Sequence, residues 1–260
     1  MPEVTSHATG TPSWVDLSSP DTDASARFYG ELFGWDATEP GPVETTGGYR
    51  MFERGGKSVA GLAPIMQEGQ PTAWTTYVTV ASADDAAARV RELGGQVMFD
   101  PMDVLDSGRM AVFVDPAGAV FSVWQPREHI GSEVVNEPVS LSWNELMTRD
   151  LESSKAFYGA LFGWQPETTT EGPVPYTMWN LGGQPVGGMI EITDDWPMQP
   201  PNAWGVYFAV EDLDATLAKL KELGGSVVVE PMEAPVGRFA GAVDPQGAFF
   251  SVIQLAQSPQ

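Results

Sequence analysis

Two carboxylates that recur at equivalent positions are the residues best placed for acid–base chemistry. Asp16 lies two residues after Trp14, and Glu145 lies two residues after Trp143. Burial beside aromatic rings disfavours the ionised form of a carboxylate, so its pKa rises and it can accept a substrate proton near neutral pH. Asp16 and Glu145 are therefore candidate catalytic bases. The alternative is that each carboxylate accepts a backbone hydrogen bond and does no chemistry.

Two arginines also recur, Arg109 and Arg238, each in a Gly-Arg pair. A guanidinium can bind an anionic or quinone oxygen of a ligand, or it can pair with a carboxylate at a loop. The sequence leaves both interpretations open, and the two arginines are kept as candidate ligand-binding residues.

Several other kinds of chemistry lack the residues they need. The chain has no Cys, which excludes disulfides, thiolate catalysis and cysteine-ligated metals. Its two histidines, His7 and His129, are expected in an N-terminal segment and in a linker, away from any site. A site with several imidazoles and a Ser-His-Asp triad are therefore not expected. The glycine pairs lack both GxGxxG and a Walker lysine, so they predict turns rather than a nucleotide cofactor.

An internal duplication positions these residues. Residues 14–35 align without gaps on residues 143–164, with 11 of 22 positions identical at an offset of 129. Two further segments, 92–102 and 108–125, also match segments about 129 residues later. Such a period is too long for a solenoid, whose repeats span about 20 to 50 residues, and it indicates duplicated domains.

The duplication predicts how the chain is divided. We expect five parts in chain order: a flexible N-terminus at 1–11, a first domain at 12–125, a linker at 126–140, a second domain at 141–255 and a tail at 256–260.

Each repeat predicts the element order β, α, β, β, β twice. In the first repeat, a strand over 14–17 precedes a helix over 21–32 that has apolar residues at helical spacing, and Gly34 ends this helix. A second strand and helix, over 74–80 and 84–93, begin the next half. Runs of strands interrupted by single helices indicate an α+β protein with one helical face.

Three motifs occur in both repeats: FYxxLFGW after the first helix, LGG at the end of the second helix, and DPxGxxF before the last strand. Over residues 12–255 they resemble the glyoxalase, bleomycin resistance protein and extradiol dioxygenase superfamily, the vicinal oxygen chelate proteins. The combination of WxDL or WNEL with LFGW and HIGxxVVNE is similar to tandem two-domain actinobacterial proteins described as glyoxalase-like or hydroxylase-like. The resemblance implies four βαβββ modules that form two domains. In each domain a curved mixed sheet makes a cup, with the helices outside.

The resemblance also implies where a divalent metal would bind. Metal-dependent members place three or four His, Glu or Gln ligands on the inner face of the cup. The corresponding positions here offer one carboxylate and otherwise small or hydroxyl side chains: Asp16, Thr75 and Ser122, and in the second repeat Glu145, Gly205 and Ser251. One carboxylate does not meet the ligand number that a divalent cation requires. We therefore expect no metal and no other cofactor, although Asp16 or Glu145 could survive as a single ligand.

Residues i and i+2 of a strand share a face, so the inward positions of the family predict what lines each cup. The expected lining of the first cup is Trp14, Asp16, Tyr49, Met51, Thr75, Tyr77, Ser122 and Trp124. The expected lining of the second cup is Trp143, Glu145, Tyr176, Met178, Gly205, Tyr207, Ser251 and Ile253. Such aromatic surfaces suit a flat apolar ligand, or the rings fill the cup as core. Trp74 and Trp204 fall on the opposite face and are expected to pack there.

Composition limits the partners. The chain has 35 acidic and 13 basic residues and a formal net charge of −22, which disfavours nucleic acids and anionic membranes. No apolar run of transmembrane length and no signal peptide is visible, so a cytoplasmic protein, monomeric or homodimeric, is expected.

The sequence leaves three functions open. The first is binding of a small aromatic molecule in metal-free cups, for resistance, sequestration or secondary-metabolite processing. The second is a metal-independent hydroxylase or isomerase with Asp16 or Glu145 as its base. The third is a glyoxalase-type, metal-dependent lyase.

Overall fold

The computed structural model describes residues 4–170, 174–196 and 199–256. The first half contains β1 (Pro12–Ser19), α1 (Thr22–Phe33), β2 (Asp36–Ala37), α2 (Val43–Thr46), β3 (Arg50–Arg54), β4 (Lys57–Pro64), β5 (Ala73–Thr79), α3 (Ala83–Glu92), β6 (Gln96–Val104), β7 (Gly108–Val114) and β8 (Val120–Pro126). The second half contains β9 (Leu141–Thr148), α4 (Leu151–Phe162), β10 (Gln165–Thr169), β11 (Tyr176–Leu181), β12 (Gln184–Glu191), β13 (Ala203–Ala209), α5 (Leu213–Glu222), β14 (Ser226–Ala234), β15 (Gly237–Val243) and β16 (Phe249–Leu255).

The strands form two eight-stranded mixed sheets with matching topology. The first has the order β2-β3-β4-β1-β5-β8-β7-β6, and the second has the order β10-β11-β12-β9-β13-β16-β15-β14. In each sheet the two modules join through an antiparallel pair of their opening strands, β1 with β5 and β9 with β13. The predicted α+β fold of four βαβββ modules in two domains is confirmed.

Local sequence signals explain the longer helices. Asp21 accepts a hydrogen bond from the backbone amide of Ala24 and caps the start of α1. Gly34 ends the same helix in the left-handed conformation that glycine adopts without a steric penalty. Asp150 and Gly163 perform the same two functions for α4. The predicted helix over 21–32 is therefore displaced by a single residue.

Three local features were not predicted. The two-residue strand β2 and the four-residue helix α2 are too short to show a periodic pattern. Strand β6 extends from Gln96 to Val104 although it contains Pro101. It lies at the sheet edge, and its register shifts on both sides of Phe99, so the missing amide of Pro101 breaks no continuous ladder.

The main hydrophobic cores lie between the two domains, on the helix-bearing faces of the sheets. One core combines α1 residues such as Phe28 and Phe33 with Phe208 and Leu217 of the second domain. The other combines α3 with Phe157 and further residues of the second domain. The opposite faces of the sheets, which form the cups, point away from these cores.

Hydrogen bonds join the domains inside the cores. The hydroxyl of Tyr29 donates to Asp244 Oδ2 at 3.0 Å and accepts from Trp74 Nε1 at 3.1 Å. The symmetric network consists of Tyr158, Asp115 and Trp204. The Asp of each DPxGxxF motif therefore accepts a hydrogen bond from a tyrosine of the other domain. Trp74 and Trp204 pack on the face opposite the cups, as expected.

The N-terminal segment is bonded to the fold over the part that is described. The amide of Gly10 donates to the Thr79 carbonyl at 2.8 Å, and the Gly10 carbonyl accepts from Trp164 Nε1 at 2.7 Å. These hydrogen bonds connect Gly10 to both domains, the flexibility of residues 1–11 stays a prediction, and residues 1–3 lie outside the described part. Residues 127–140 connect β8 to β9, and of the predicted tail only Ala256 is described. No helix of the described residues is long and apolar enough to cross a membrane.

Candidate functional site

Strand pairing brings the predicted lining residues of each cup onto one face. In the first sheet Trp14 pairs with Tyr77 and Asp16 with Thr75, and Tyr77 pairs on its other side with Ser122. Equivalent pairs in the second sheet are Trp143 with Tyr207, Glu145 with Gly205, and Tyr207 with Ser251. The carboxylate of each cup therefore lies beside an aromatic row that crosses the central strands.

In the first cup, phenol groups hold the carboxylate. The Tyr77 hydroxyl donates to Asp16 Oδ2 at 2.8 Å, and the Tyr49 hydroxyl makes a longer contact of 3.5 Å with the same oxygen. Trp14 Nε1 donates to the Tyr49 hydroxyl at 3.1 Å. Asp16 is 7% exposed. The observed partners are tyrosines rather than the backbone donor of the alternative interpretation.

The second cup repeats this arrangement with a longer acid. The Tyr207 hydroxyl donates to Glu145 Oε1 at 2.8 Å, and Trp143 Nε1 donates to the Tyr176 hydroxyl at 2.9 Å. Glu145 and Trp143 are both partly exposed, in contrast to Asp16 and its neighbouring tryptophan. The second carboxylate is therefore open to solvent to a greater degree.

Burial shifts the pKa values of both acids upward. Burial raises the pKa of Asp16 to about 6, while hydrogen bonds from Tyr77 and Tyr49 oppose the rise. The pKa of Glu145 is raised for the same reason, against the hydrogen bonds from Tyr207 and Tyr176. Since burial also raises the pKa values of these tyrosines, they stay protonated and donate. Asp16 can therefore gain a proton at a pH only slightly below neutral, and in both cups burial favours the protonated acid.

Two glycines that the sequence reasoning missed make this packing possible. A Cβ on Gly61 would lie 1.8 Å from the hydroxyl oxygen of Tyr49, and a Cβ on Gly188 would lie 1.8 Å from that of Tyr176. Each glycine pairs across the sheet with the carboxylate residue of its cup. The available signal was a glycine inside a strand, which often marks close approach of another group.

The first cup is filled by its own side chains. Trp14, Tyr77 and Trp124 form a buried cluster against which Met51 and two other side chains pack. This arrangement matches the alternative in which the rings act as core. The second cup has Ile253 and Gly205 where the first has Trp124 and Thr75. It also has Phe239, whose ring lies 6.0 Å from that of Tyr207, where the first has Met110.

His129 is also part of the first cup, which corrects its predicted position away from any site. Its ring contacts Trp14 edge-on, with ring centroids 4.5 Å apart, and lies 5.6 Å from the ring of Trp124. Burial lowers the pKa of His129 to about 4, so the imidazole is neutral near pH 7. Sequence spacing placed this residue in the linker, where it is, but gave no indication that the linker returns over the sheet.

The two recurring arginines lie outside the cups. Arg109 donates from Nε and from a terminal nitrogen to the two carboxylate oxygens of Asp84, both at 2.9 Å. Arg238 donates to both oxygens of Asp214. Both arginines therefore pair with a carboxylate near the start of a helix, which is one of the two interpretations that the sequence left open, and ligand binding by them stays a prediction.

The cups do not fit a divalent metal site. Among the residues 4–170, 174–196 and 199–256, no three His, Asp or Glu side chains come together as metal ligands. Each cup supplies one carboxylate, which already accepts a hydrogen bond from a tyrosine. At the other positions where metal-dependent members of the family have ligands, the chain has Thr75, Ser122, Gly205 and Ser251. Neutral hydroxyls and glycine do not complete the donor set of a tightly bound divalent cation.

Two open grooves of about 260 and 300 Å³ lie at the junction of the domains rather than in the cups. One runs between α1 and Pro245, and the other runs between Gly10 and α4. Neither contains a carboxylate of the two cups, so we do not assign the ligand to them.

Comparison with known proteins agrees with this geometry. The model of the "Glyoxalase/Bleomycin resistance protein/Dioxygenase superfamily" matches residues 11–123 and 140–252. The chain is 42% identical to "Anthracycline biosynthesis protein DauV" of Streptomyces sp. (strain C5), over 98% of this chain and 97% of the relative. It is also 42% identical to "Putative glyoxylase CFP32" of Mycobacterium bovis, over 98% and 99% of the two chains.

Solved structures show the same fold at low identity. The 2,3-dioxygenase LapB from Pseudomonas sp. KL28 superposes with a TM-score of 0.65 at 14% identity, covering 98% of this chain and 96% of that one. The Mn(II)-bound glyoxalase from Novosphingobium aromaticivorans gives 0.63 at 17% identity, with coverage of 96% and 86%. With two matched repeats and full-length relatives, the chain belongs to the glyoxalase, bleomycin resistance protein and dioxygenase superfamily.

Proposed function

We propose that the protein binds a flat aromatic small molecule in a cup of the sheet, and that it does so without a metal. The observation that carries the proposal is the carboxylate held by a tyrosine hydroxyl on an aromatic floor, as in Glu145 with Tyr207 and Trp143. Aromatic faces provide stacking area, and one polar group fixes the orientation of the ligand.

The charge of the site indicates which ligand groups it prefers. A carboxylate accepts hydrogen bonds, so phenol or ammonium groups on the ring system would be favoured over acidic groups. The net charge of −22 also disfavours anionic ligands. Relatives named for anthracycline biosynthesis support this class, because anthracyclines combine fused rings with phenol and quinone oxygens.

Binding of quinizarin, a dihydroxyanthraquinone, tests the proposal. We expect saturable quenching of tryptophan fluorescence and a matching heat signal in calorimetry, with the same affinity before and after treatment with a chelator. Absence of saturable binding by quinizarin and by a panel of related anthraquinones would refute the proposed function. Binding that requires an added metal would refute its metal-free part.

A second candidate function is proton abstraction with a cup carboxylate as base. The raised pKa values of Asp16 and Glu145 favour it, since a base is most effective when its pKa lies near the working pH. In an isomerisation, the carboxylate would take a proton from an acidic carbon of the substrate while the adjacent carbonyl oxygen gains one. This activity requires no oxidant.

Deuterium uptake at the acidic carbon of anthrone measures this step directly. Glu145→Gln and Asp16→Asn should together abolish the enzyme-dependent uptake while leaving ligand affinity largely intact. Unchanged uptake in the double variant would remove both residues from the mechanism and leave binding as the function.

A glyoxalase-type lyase, to which relatives named "Putative glyoxylase" point, is not favoured by the donor set of the cups. Elemental analysis of the purified protein tests this conclusion. Stoichiometric zinc, nickel or iron that survives dialysis would show that a ligand set exists outside the family positions.

A further inference from the structure

We propose that His129 occupies the ligand position of the first cup, so that the second cup is the single aromatic-ligand site of the chain. The inference rests on the proposed function, since both concern a flat aromatic ligand. It differs from that function in assigning two nearly identical cups different roles.

The contacts of the imidazole support the assignment. Its ring lies edge-on to Trp14 at 4.5 Å between centroids and at 5.6 Å from Trp124. These are the separations at which aromatic rings interact favourably, and a flat ligand would have to use the same two surfaces. A ligand in the first cup therefore competes with a group that is part of the chain.

Hydrogen bonds to the backbone of the linker hold it in place at His129 and at Ser132. Trp124 Nε1 donates to the His129 carbonyl at 2.7 Å, and the His129 amide donates to the Ser107 carbonyl at 3.0 Å. Further along, the Ser132 amide donates to the Ser13 carbonyl at 2.8 Å. None of these bonds uses the imidazole, so the ring can be removed without releasing the linker.

The imidazole itself is held by packing. Its Nε2 is buried and has no hydrogen-bond partner among the described residues. The ionisable groups that act on it are Glu133 and His7, with opposite effects, and burial keeps it neutral. A neutral ring without a bond at Nε2 acts here mainly as an aromatic surface.

Among the described residues, no aromatic ring contacts Trp143 in the way that His129 contacts Trp14. Phe239, which stands where the first cup has Met110, contacts Tyr207 with ring centroids 6.0 Å apart. The chain contains only two histidines, and the position 129 residues after His129 is Ser258, which lies outside the described residues. Trp143 and Glu145 are partly exposed, and Ile253 replaces the second tryptophan. Trp143 and the carboxylate of the second cup are therefore accessible to a ligand, whereas Tyr207 and Ile253 beside them are buried.

Thiol labelling tests, without any ligand, whether the His129 ring blocks access to the first cup. Because the chain has no Cys, Ser122→Cys and Ser251→Cys each provide one thiol at matched positions of the two cups. Ser122 and Ser251 are both buried, so the decisive comparison is how the rate of each thiol with a small disulfide reagent changes when the imidazole is removed. Adding His129→Ala should accelerate the Ser122→Cys reaction at least tenfold and leave the Ser251→Cys reaction unchanged.

His129→Phe is the control, because it retains a ring in the cup and should keep the Ser122→Cys thiol slow. Thermal melting identifies variants that remain folded. A folded His129→Ala variant that does not accelerate the first-cup thiol, or that accelerates both thiols equally, would overturn the assignment of His129 to the first cup whether or not a ligand binds.

Calorimetry with quinizarin then assigns the site. We expect one site per chain in the wild type, none in Trp143→Ala, two in His129→Ala, and one in the variant carrying both substitutions. Two sites in the wild type, or loss of binding in Trp14→Ala but not in Trp143→Ala, would contradict the assignment while leaving the proposed function intact. No binding in any variant would instead refute the proposed function.

Discussion

Replacing Asp16 by Asn should make the protein more stable at neutral and alkaline pH. Burial raises the pKa of Asp16 from 3.8 to about 6, so the folded protein favours the protonated acid. The unfolded chain loses this proton at lower pH. The contribution of Asp16 to stability is therefore fully present below about pH 4 and is lost as the pH rises through about 6.

The size of the effect follows from the shift. A displacement of about two pKa units corresponds to ~3 kcal/mol of unfolding free energy once the acid is ionised in both states, at 1.36 kcal/mol per unit. Between about pH 5 and pH 8 the difference between wild type and Asp16→Asn should change by ~1.4 kcal/mol. This change does not depend on the constant cost of replacing a carboxyl by an amide. The full shift applies because Asp16 is only 7% exposed.

Urea unfolding of wild type and Asp16→Asn at several pH values measures this difference. The variant should gain stability relative to the wild type as the pH rises. Glu145→Gln, at the more exposed position of the second cup, should give a smaller change in the same direction because solvent screens the charge. A pH-independent difference for Asp16→Asn, or a wild type that gains relative stability with rising pH, would refute the burial argument.

Three further predictions follow from the packing. Tyr29→Phe should lower the unfolding free energy by ~1–3 kcal/mol, because it leaves Asp244 Oδ2 without its tyrosine donor and the buried Trp74 Nε1 without its acceptor. Urea unfolding checks this, and a neutral change would mean that the hydrogen bond between the domains adds no stability. Gly188→Ala should weaken quinizarin binding about tenfold, or ~1.4 kcal/mol, because the added Cβ displaces the Tyr176 hydroxyl. Gly61→Ala, the equivalent substitution in the first cup, is the control and should leave the affinity unchanged. Equal losses of affinity in calorimetry would contradict the assignment of the ligand to the second cup. The full chain should elute as a monomer in size-exclusion chromatography with light scattering, since the domains bury their helical faces against each other; a stable dimer would show that another apolar surface is used.

Much of the fold could be predicted from the sequence because its signals are local or repeated. The caps at Asp21 and Gly34 define a helix within a few residues, and the offset of 129 between repeats divides the chain. Alternation along strands correctly placed Trp14 and Asp16 on one face and Trp74 on the other.

The remaining features depend on contacts between distant segments. The bond between Tyr29 and Asp244 joins residues in different domains, and no local pattern indicates which faces of the two sheets meet. The return of the linker that brings His129 onto Trp14 is equally non-local. The roles of Arg109 and Arg238 were ambiguous because a guanidinium suits both a ligand oxygen and a carboxylate, and only the position of Asp84 or Asp214 distinguishes them.

A crystal structure of the chelator-treated protein soaked with quinizarin shows whether the second cup binds an aromatic molecule without a metal. We expect one molecule in the second cup, stacked against Trp143, with a phenol oxygen within hydrogen-bond distance of the Glu145 carboxylate, and the His129 ring still in the first cup. Quinizarin in a groove between the domains, or bound to a metal ion in either cup, would contradict this expectation.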